Sequence, residues 1–141
     1  MHRLAALLLV ALPFTGCDSN EPIVRTCENE SRDIVIDEIV TGTSPTTVSA
    51  GDVVTLDYTG TLEDGTVFLD EDRRVFGLVN ETPGLQEGVF GMRLGSRRII
   101  TVPPYRGYST IPRTSTIDGE TVEIPPCSQL TYDVTLLDIG S

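Results

Sequence analysis

The stretches Gly51–Phe68, GDVVTLDYTGTLEDGTVF, and Pro83–Arg98, PGLQEGVFGMRLGSRR, decide how this chain folds. In the first, Val54, Leu56 and Tyr58 fall on one side of an extended backbone and Thr55, Asp57 and Thr59 on the other, the period-two signature of a half-buried strand. Glu63-Asp64-Gly65 interrupts the alternation before Thr66–Leu69, so an antiparallel hairpin is expected. In the second, Leu85, Val89 and Met92 recur at i, i+4 and i+7, one face of a short helix opened by Pro83-Gly84. Gly88 and Gly91 each weaken that helix by about 1 kcal/mol relative to alanine, so it must owe its stability to packing on a sheet. Gly95 is expected to end it.

Working outward, Ile34–Val40 reads as a strand broken off by Ser44-Pro45, and Ser49-Ala50-Gly51-Asp52 as a turn. Arg97–Val102 reads as a strand stopped by Pro103-Pro104. Leu130, Tyr132, Val134 and Leu136 form the apolar face of a closing strand. Asp70-Glu71-Asp72 and the long segment Ser109–Glu123 are expected in loops. The pattern predicts an α+β domain: an antiparallel twisted β-sheet of four to six strands wrapped on one short α-helix.

The amino terminus belongs to a different regime. Leu4–Leu12 is an uninterrupted run of nine apolar residues, far below the roughly 20 needed to span a bilayer but suited to a secretory signal. Phe14-Thr15-Gly16-Cys17 resembles a bacterial lipobox, with Phe14 where an aliphatic residue is usual. Residues 1–16 are therefore expected to be a lipoprotein signal peptide, Cys17 the lipidated residue, 17–33 a polar, flexible tether and 34–141 the folded domain. The alternative is an ordinary signal peptide with Cys17 an unmodified thiol. Lipidation would also explain the odd number of cysteines, leaving Cys27 and Cys127 either as a disulfide or as two free thiols. A bridge would close a loop of about 100 residues, worth roughly 4 to 5 kcal/mol in the chain-entropy model, and implies an oxidising compartment.

Composition excludes whole classes of chemistry. The chain carries a formal charge of −11 and no lysine or tryptophan, and its only histidine is His2. Without residues 1–16, nine arginines face 21 carboxylates, for −12. So acidic a protein is a poor partner for nucleic acid or for anionic headgroups, and any membrane residence must rest on the lipid. Histidine-based triads, lysine-based phosphate loops and histidine metal sites are ruled out for the mature chain. Glu28 with Glu30, and Asp70-Glu71-Asp72, lack calcium-loop spacing and read as solvated surface. What remains open is a reaction needing no acid, base or nucleophile. Rotation about an X-Pro bond is one: its barrier is amide resonance, and a dry aromatic pocket favours the twisted amide over the more polar planar one.

From about Gly51 to Ile139 the chain resembles the FKBP-type peptidyl-prolyl cis-trans isomerases in four separated blocks that keep the family's order. These are Asp57–Phe68, Pro83–Gly95, Val102–Tyr108, and Ile124-Pro125-Pro126 followed by Leu130–Val134. The resemblance implies an isomerase pocket walled by Tyr58, Phe68 and Tyr132, with Tyr108 donating its hydroxyl to the substrate carbonyl. It places Phe76, Thr82, Leu85 and Ile124 in contact with substrate. It implies no cofactor and no metal, and proline-containing segments as partners; together with the amino-terminal signal this gives a monomer held to the bacterial cell envelope by its lipid, outside the cytoplasm, that meets exported proteins. Departures from the family are Leu85 where tryptophan is common, Leu69 where an acid usually follows the pocket phenylalanine, and Glu81 and Thr82 where two aliphatics are usual. The rival readings are a non-catalytic module holding proline-containing or unfolded segments, and a β-rich structural lipoprotein without a pocket.

Overall fold

The computed structural model describes Cys27 and residues 33–140. The signal peptide, Cys17 and nearly all of the tether expected from the sequence lie outside the described residues.

Among the described residues seven strands run in chain order: β1 (Val35–Val40), β2 (Val53–Leu62), β3 (Val67–Gly77), β4 (Arg97–Val102), β5 (Arg113–Ile117), β6 (Glu120–Ile124) and β7 (Leu130–Gly140). One helix, α1 (Pro83–Val89), lies between β3 and β4, and short 3₁₀ turns occupy Leu78–Asn80 and Pro104–Arg106. The main sheet has the order β1-β4-β7-β2-β3, every neighbour antiparallel, and β5 with β6 makes a separate two-stranded sheet. This is the expected α+β architecture, with one more small sheet.

Alternation builds the core. Val54, Leu56 and Tyr58 on β2, Ile100 and Val102 on β4, and Leu130, Tyr132, Val134 and Leu136 on β7 are all buried, and they meet Leu85, Val89 and Met92 from the helix side. The helix lies tight on β4 because its facing positions are glycines. A Cβ on Gly84 would stand 2.3 Å from Val102 Cγ1, and one on Gly88 would stand 2.5 Å from Ile100 Cγ2, far inside contact distance. Arg98 closes the helix's far end, its Nη1 donating to the carbonyls of Gly88 (2.9 Å) and Phe90 (3.0 Å) while its Nε pairs with Glu38 on β1.

Three sequence expectations are corrected. The second strand of the hairpin does not stop at Leu69: β3 continues to Gly77, so Asp70-Glu71-Asp72 are strand residues rather than loop. The sheet tolerates them because β3 is an edge strand with one solvent face. A register shift opposite Leu56 and Tyr58, where Arg73 takes φ +48° and its amide donates to Asp57 Oδ1 (2.7 Å), absorbs the extra residue. The helix ends at Val89 rather than at Gly95, since Gly91 already turns left-handed at φ +73°. Ser109–Glu123 is no plain loop, because most of it is the β5–β6 hairpin turned by Asp118-Gly119, both at positive φ.

Cys27 and Cys127 are joined by a disulfide, Cα atoms 5.4 Å apart, and Cys27 is buried. Cys127 sits just beyond β6, where its amide donates to the Ser109 carbonyl at 2.8 Å, so the bridge pins the stretch that carries Ile124, Pro125 and Pro126.

Candidate functional site

At the β3 end of the main sheet the apolar alternation turns aromatic. Tyr58 is the inward residue of β2 after Leu56, and the next inward position is Gly60. A Cβ there would lie 2.6 Å from Phe68 Cζ, so the glycine clears the space that the Phe68 ring occupies. Gly60 is also the register partner of Tyr132 on β7, which brings Phe68 and Tyr132 together edge-to-face, centroids 5.8 Å apart at 80°. Phe76, the register partner of Val54 near the end of β3, swings against Tyr58 with centroids 5.7 Å apart. The prolonged β3 therefore delivers the second aromatic pair.

Tyr108 arrives from outside the sheet. The turn Pro104–Arg106 is held by the Arg106 and Ser109 amides, which donate to the carbonyls of Pro103 (2.9 Å) and Pro104 (2.8 Å). Gly107 lets the chain lie on Leu130, whose Cδ1 would stand 3.0 Å from an added Cβ. Tyr108 is left half-buried against the core, and the Arg113 guanidinium covers its ring at 5.6 Å. Leu85 and Ile124 are buried in the same cluster.

Thr82 precedes the helix but does not cap it with its side chain. Its hydroxyl acts on Tyr132 from nearby, yet the contact falls short of a hydrogen bond: Thr82 Oγ1 is buried without a partner. Glu81, beside it, is half-buried, its carbonyl accepting from Gln86 Nε2 at 2.7 Å. Of the eight positions inferred from the sequence, seven belong to or pack against the core cluster and Thr82 lies beside Tyr132, while Phe68, Tyr108 and Ile124 line a cavity between β3 and β5.

The electrostatics oppose ionisation of Tyr58, Tyr108 and Tyr132. Burial, then the carboxylates of Glu81 and Glu71, push Tyr58 up to about 12. Burial also raises Tyr132, and Tyr108 raises it further. Tyr108 is raised mainly by burial, while its hydroxyl contact with Tyr132 pulls the other way and Glu81 and Arg113 act on it with opposite signs. Glu81 itself is raised by burial, with Arg74 opposing. The site is a set of neutral hydroxyls and ring faces, with one half-buried carboxylate at its side. Among the described residues no group of His, Cys, Asp and Glu side chains is placed to hold a metal ion.

Sequence reasoning missed two features: Arg113 and Ser115 on β5, which face the same wall. The hairpin itself was signalled by Asp118-Gly119 between Thr114–Ile117 and Glu120–Ile124, but not which of its side chains face inward.

Comparison with known proteins places this geometry in a family. Residues 44–137 match the model for the FKBP-type peptidyl-prolyl cis-trans isomerase family. The chain belongs to that family. It is 36% identical over 101 residues, 67% of its length, to the human peptidyl-prolyl cis-trans isomerase FKBP9, and 36% identical over 97 residues to FK506-binding protein 2 of Yarrowia lipolytica, of which it covers 62%. It spans only 16% of the length of the human relative. Among solved structures, FkpA of Escherichia coli superposes with a TM-score of 0.65 at 27% identity, covering 80% of this chain and 52% of that one.

Proposed function

We propose that the protein is a peptidyl-prolyl cis-trans isomerase acting on X-Pro bonds of exported proteins. The observation that carries this is the convergence of Tyr58, Phe68, Phe76, Tyr108 and Tyr132 on one core cluster, four of them in two ring pairs, with Glu81 the half-buried carboxylate at their side and neither histidine nor lysine among the described residues. Amide rotation needs no acid, base or nucleophile. Its barrier of about 18–20 kcal/mol comes from resonance that the twisted amide has lost, and the twisted form is the less polar of the two. Apolar rings that exclude water therefore bind it in preference to the planar ground state, which is the condition for acceleration. The Tyr108 hydroxyl, neutral and half-exposed, donates to the carbonyl of the residue before proline and holds the chain while the bond turns.

The disulfide and the amino-terminal signal support an extracytoplasmic setting, with residues 1–16 removed, 17–33 a tether, 34–141 the catalytic domain, and a lipid on Cys17 as the membrane attachment. The partners are proline-containing segments, the protein acts as a monomer, and no cofactor enters the reaction.

Exchange NMR on a short X-Pro peptide with the protein tests the activity. Cis and trans resonances should broaden and merge in the presence of catalytic amounts of protein, strongly less with Phe68→Ala and modestly less with Tyr108→Phe. Binding shifts without faster exchange would mark a non-catalytic module instead. Mass spectrometry of the mature amino terminus tests the anchor, and an unmodified Cys17 would end that part.

A further inference from the structure

The β5–β6 hairpin gives the aromatic site a cationic wall. A cavity of about 270 Å³ opens between β3 and β5, lined by Phe68, Leu69, Tyr108, Arg113, Ser115 and Ile124 among others, and no carboxylate contributes to it. It shares Arg113 and Ile124 with a second cavity of about 560 Å³ that continues toward Pro125 and Pro126, with Glu123 on its far lining. A chain leaving the aromatic cluster past Tyr108 meets this surface next.

Three observations define what the first cavity would take. Arg113 lines the cavity with its guanidinium over the Tyr108 ring, and it forms no salt bridge with a described residue. Ser115 lines the same cavity, and its Oγ is buried with no hydrogen-bond partner, a costly state that a ligand acceptor drawn into the cavity would relieve. The inner strand position that could have supplied a repelling acid is Leu69, while Asp70 points away and accepts from Thr59 Oγ1 at 3.2 Å. A cation without a carboxylate partner among the described residues, an unsatisfied hydroxyl donor and an apolar floor together suit a carboxylate on a short aliphatic stem.

We propose that this cavity is a specificity subsite for an acidic side chain flanking the proline of the substrate, its carboxylate pairing with Arg113 and accepting from Ser115 Oγ. The inference rests on the isomerase reading of the neighbouring cluster for the identity of the ligand as a peptide. It runs against the whole-molecule field, since a chain of charge −11 attracts basic peptides. A preference for acid therefore cannot come from net charge.

The test uses X-Pro peptides identical except for Glu, Gln or Lys at each position flanking proline. Both kcat/KM by exchange NMR and Kd by chemical-shift titration are measured at 0.15 M salt, where long-range fields are screened beyond about 8 Å. The Glu peptide should exceed the Lys peptide by about five- to tenfold at one position. That ratio should fall to near one in Arg113→Gln and part of the way in Ser115→Ala. A wild-type ratio near one at every position, or a ratio unchanged by Arg113→Gln, overturns the proposal. If no peptide is turned over, the isomerase reading fails, yet the Kd ratio still decides the subsite.

Discussion

Among single residues, the tyrosine hydroxyls set this site apart from a purely apolar pocket. Tyr132 is 2% exposed, and its phenol is deep enough that ionisation is strongly opposed. Tyr58, held up to about 12, behaves likewise. A folded-state pKa raised above the unfolded value of about 10 means the native state keeps protons that the unfolded state has lost. The stabilisation is complete below about pH 10 and disappears as pH rises toward 12. Denaturant midpoints should thus be flat through neutral pH and fall steeply between pH 10 and 12, and Tyr58→Phe should make that fall shallower. Gly60 makes a second residue-level case. Gly60→Ala should displace the Phe68 ring and cost about 1–3 kcal/mol in urea unfolding, because the new methyl would meet Phe68 at 2.6 Å. Tyr58, Phe68 and Tyr132 were legible from alternation and motif. Ser115 and Arg113 were not, since a short polar strand carries no apolar period to mark which side chains face inward.

For the elements, the helix inverts the usual meaning of its glycines. Propensity alone says that Gly88→Ala should stabilise α1 by about 1 kcal/mol. The packing says the opposite, because the added Cβ would lie within 3 Å of three Ile100 side-chain atoms. We expect Gly88→Ala to lower stability by about 1–3 kcal/mol, read as a reduced urea midpoint with an unchanged slope. The sequence showed that the helix needed a sheet behind it, but not how close that sheet would come. Strand β3 teaches the same lesson from the other side. Acidic Asp70–Asp72 look like loop by composition, yet an edge strand exposes one face and accepts charge there without penalty. Its length matters to the aromatic cluster, because only a strand that reaches Gly77 carries Phe76 to Tyr58.

Across the whole molecule, the disulfide is the longest covalent reach, 100 residues from Cys27 to Cys127. Its reduction, or Cys127→Ser, should lower unfolding free energy by about 2–5 kcal/mol, measurable as a drop in Tm. Because Cys127 follows Ile124-Pro125-Pro126, the loss should also loosen the cluster's Ile124 wall and raise KM for peptide more than it lowers kcat. Reduced protein with unchanged Tm and KM would show the bridge to be incidental.

The alternation of Val54, Leu56 and Tyr58, the closing strand from Leu130 to Leu136 and the order of the four motif blocks determined the fold class and the family, because strand period and turn chemistry are local properties of the chain. The lack of lysine, with His2 as the single histidine, narrowed the chemistry without naming it. Only the tertiary structure decided which side chains share a wall. Arg113 meets Tyr108, and Ser115 meets the Phe68 cavity, because a hairpin folds back across β3, and such contacts depend on how separate elements dock rather than on any spacing along the chain.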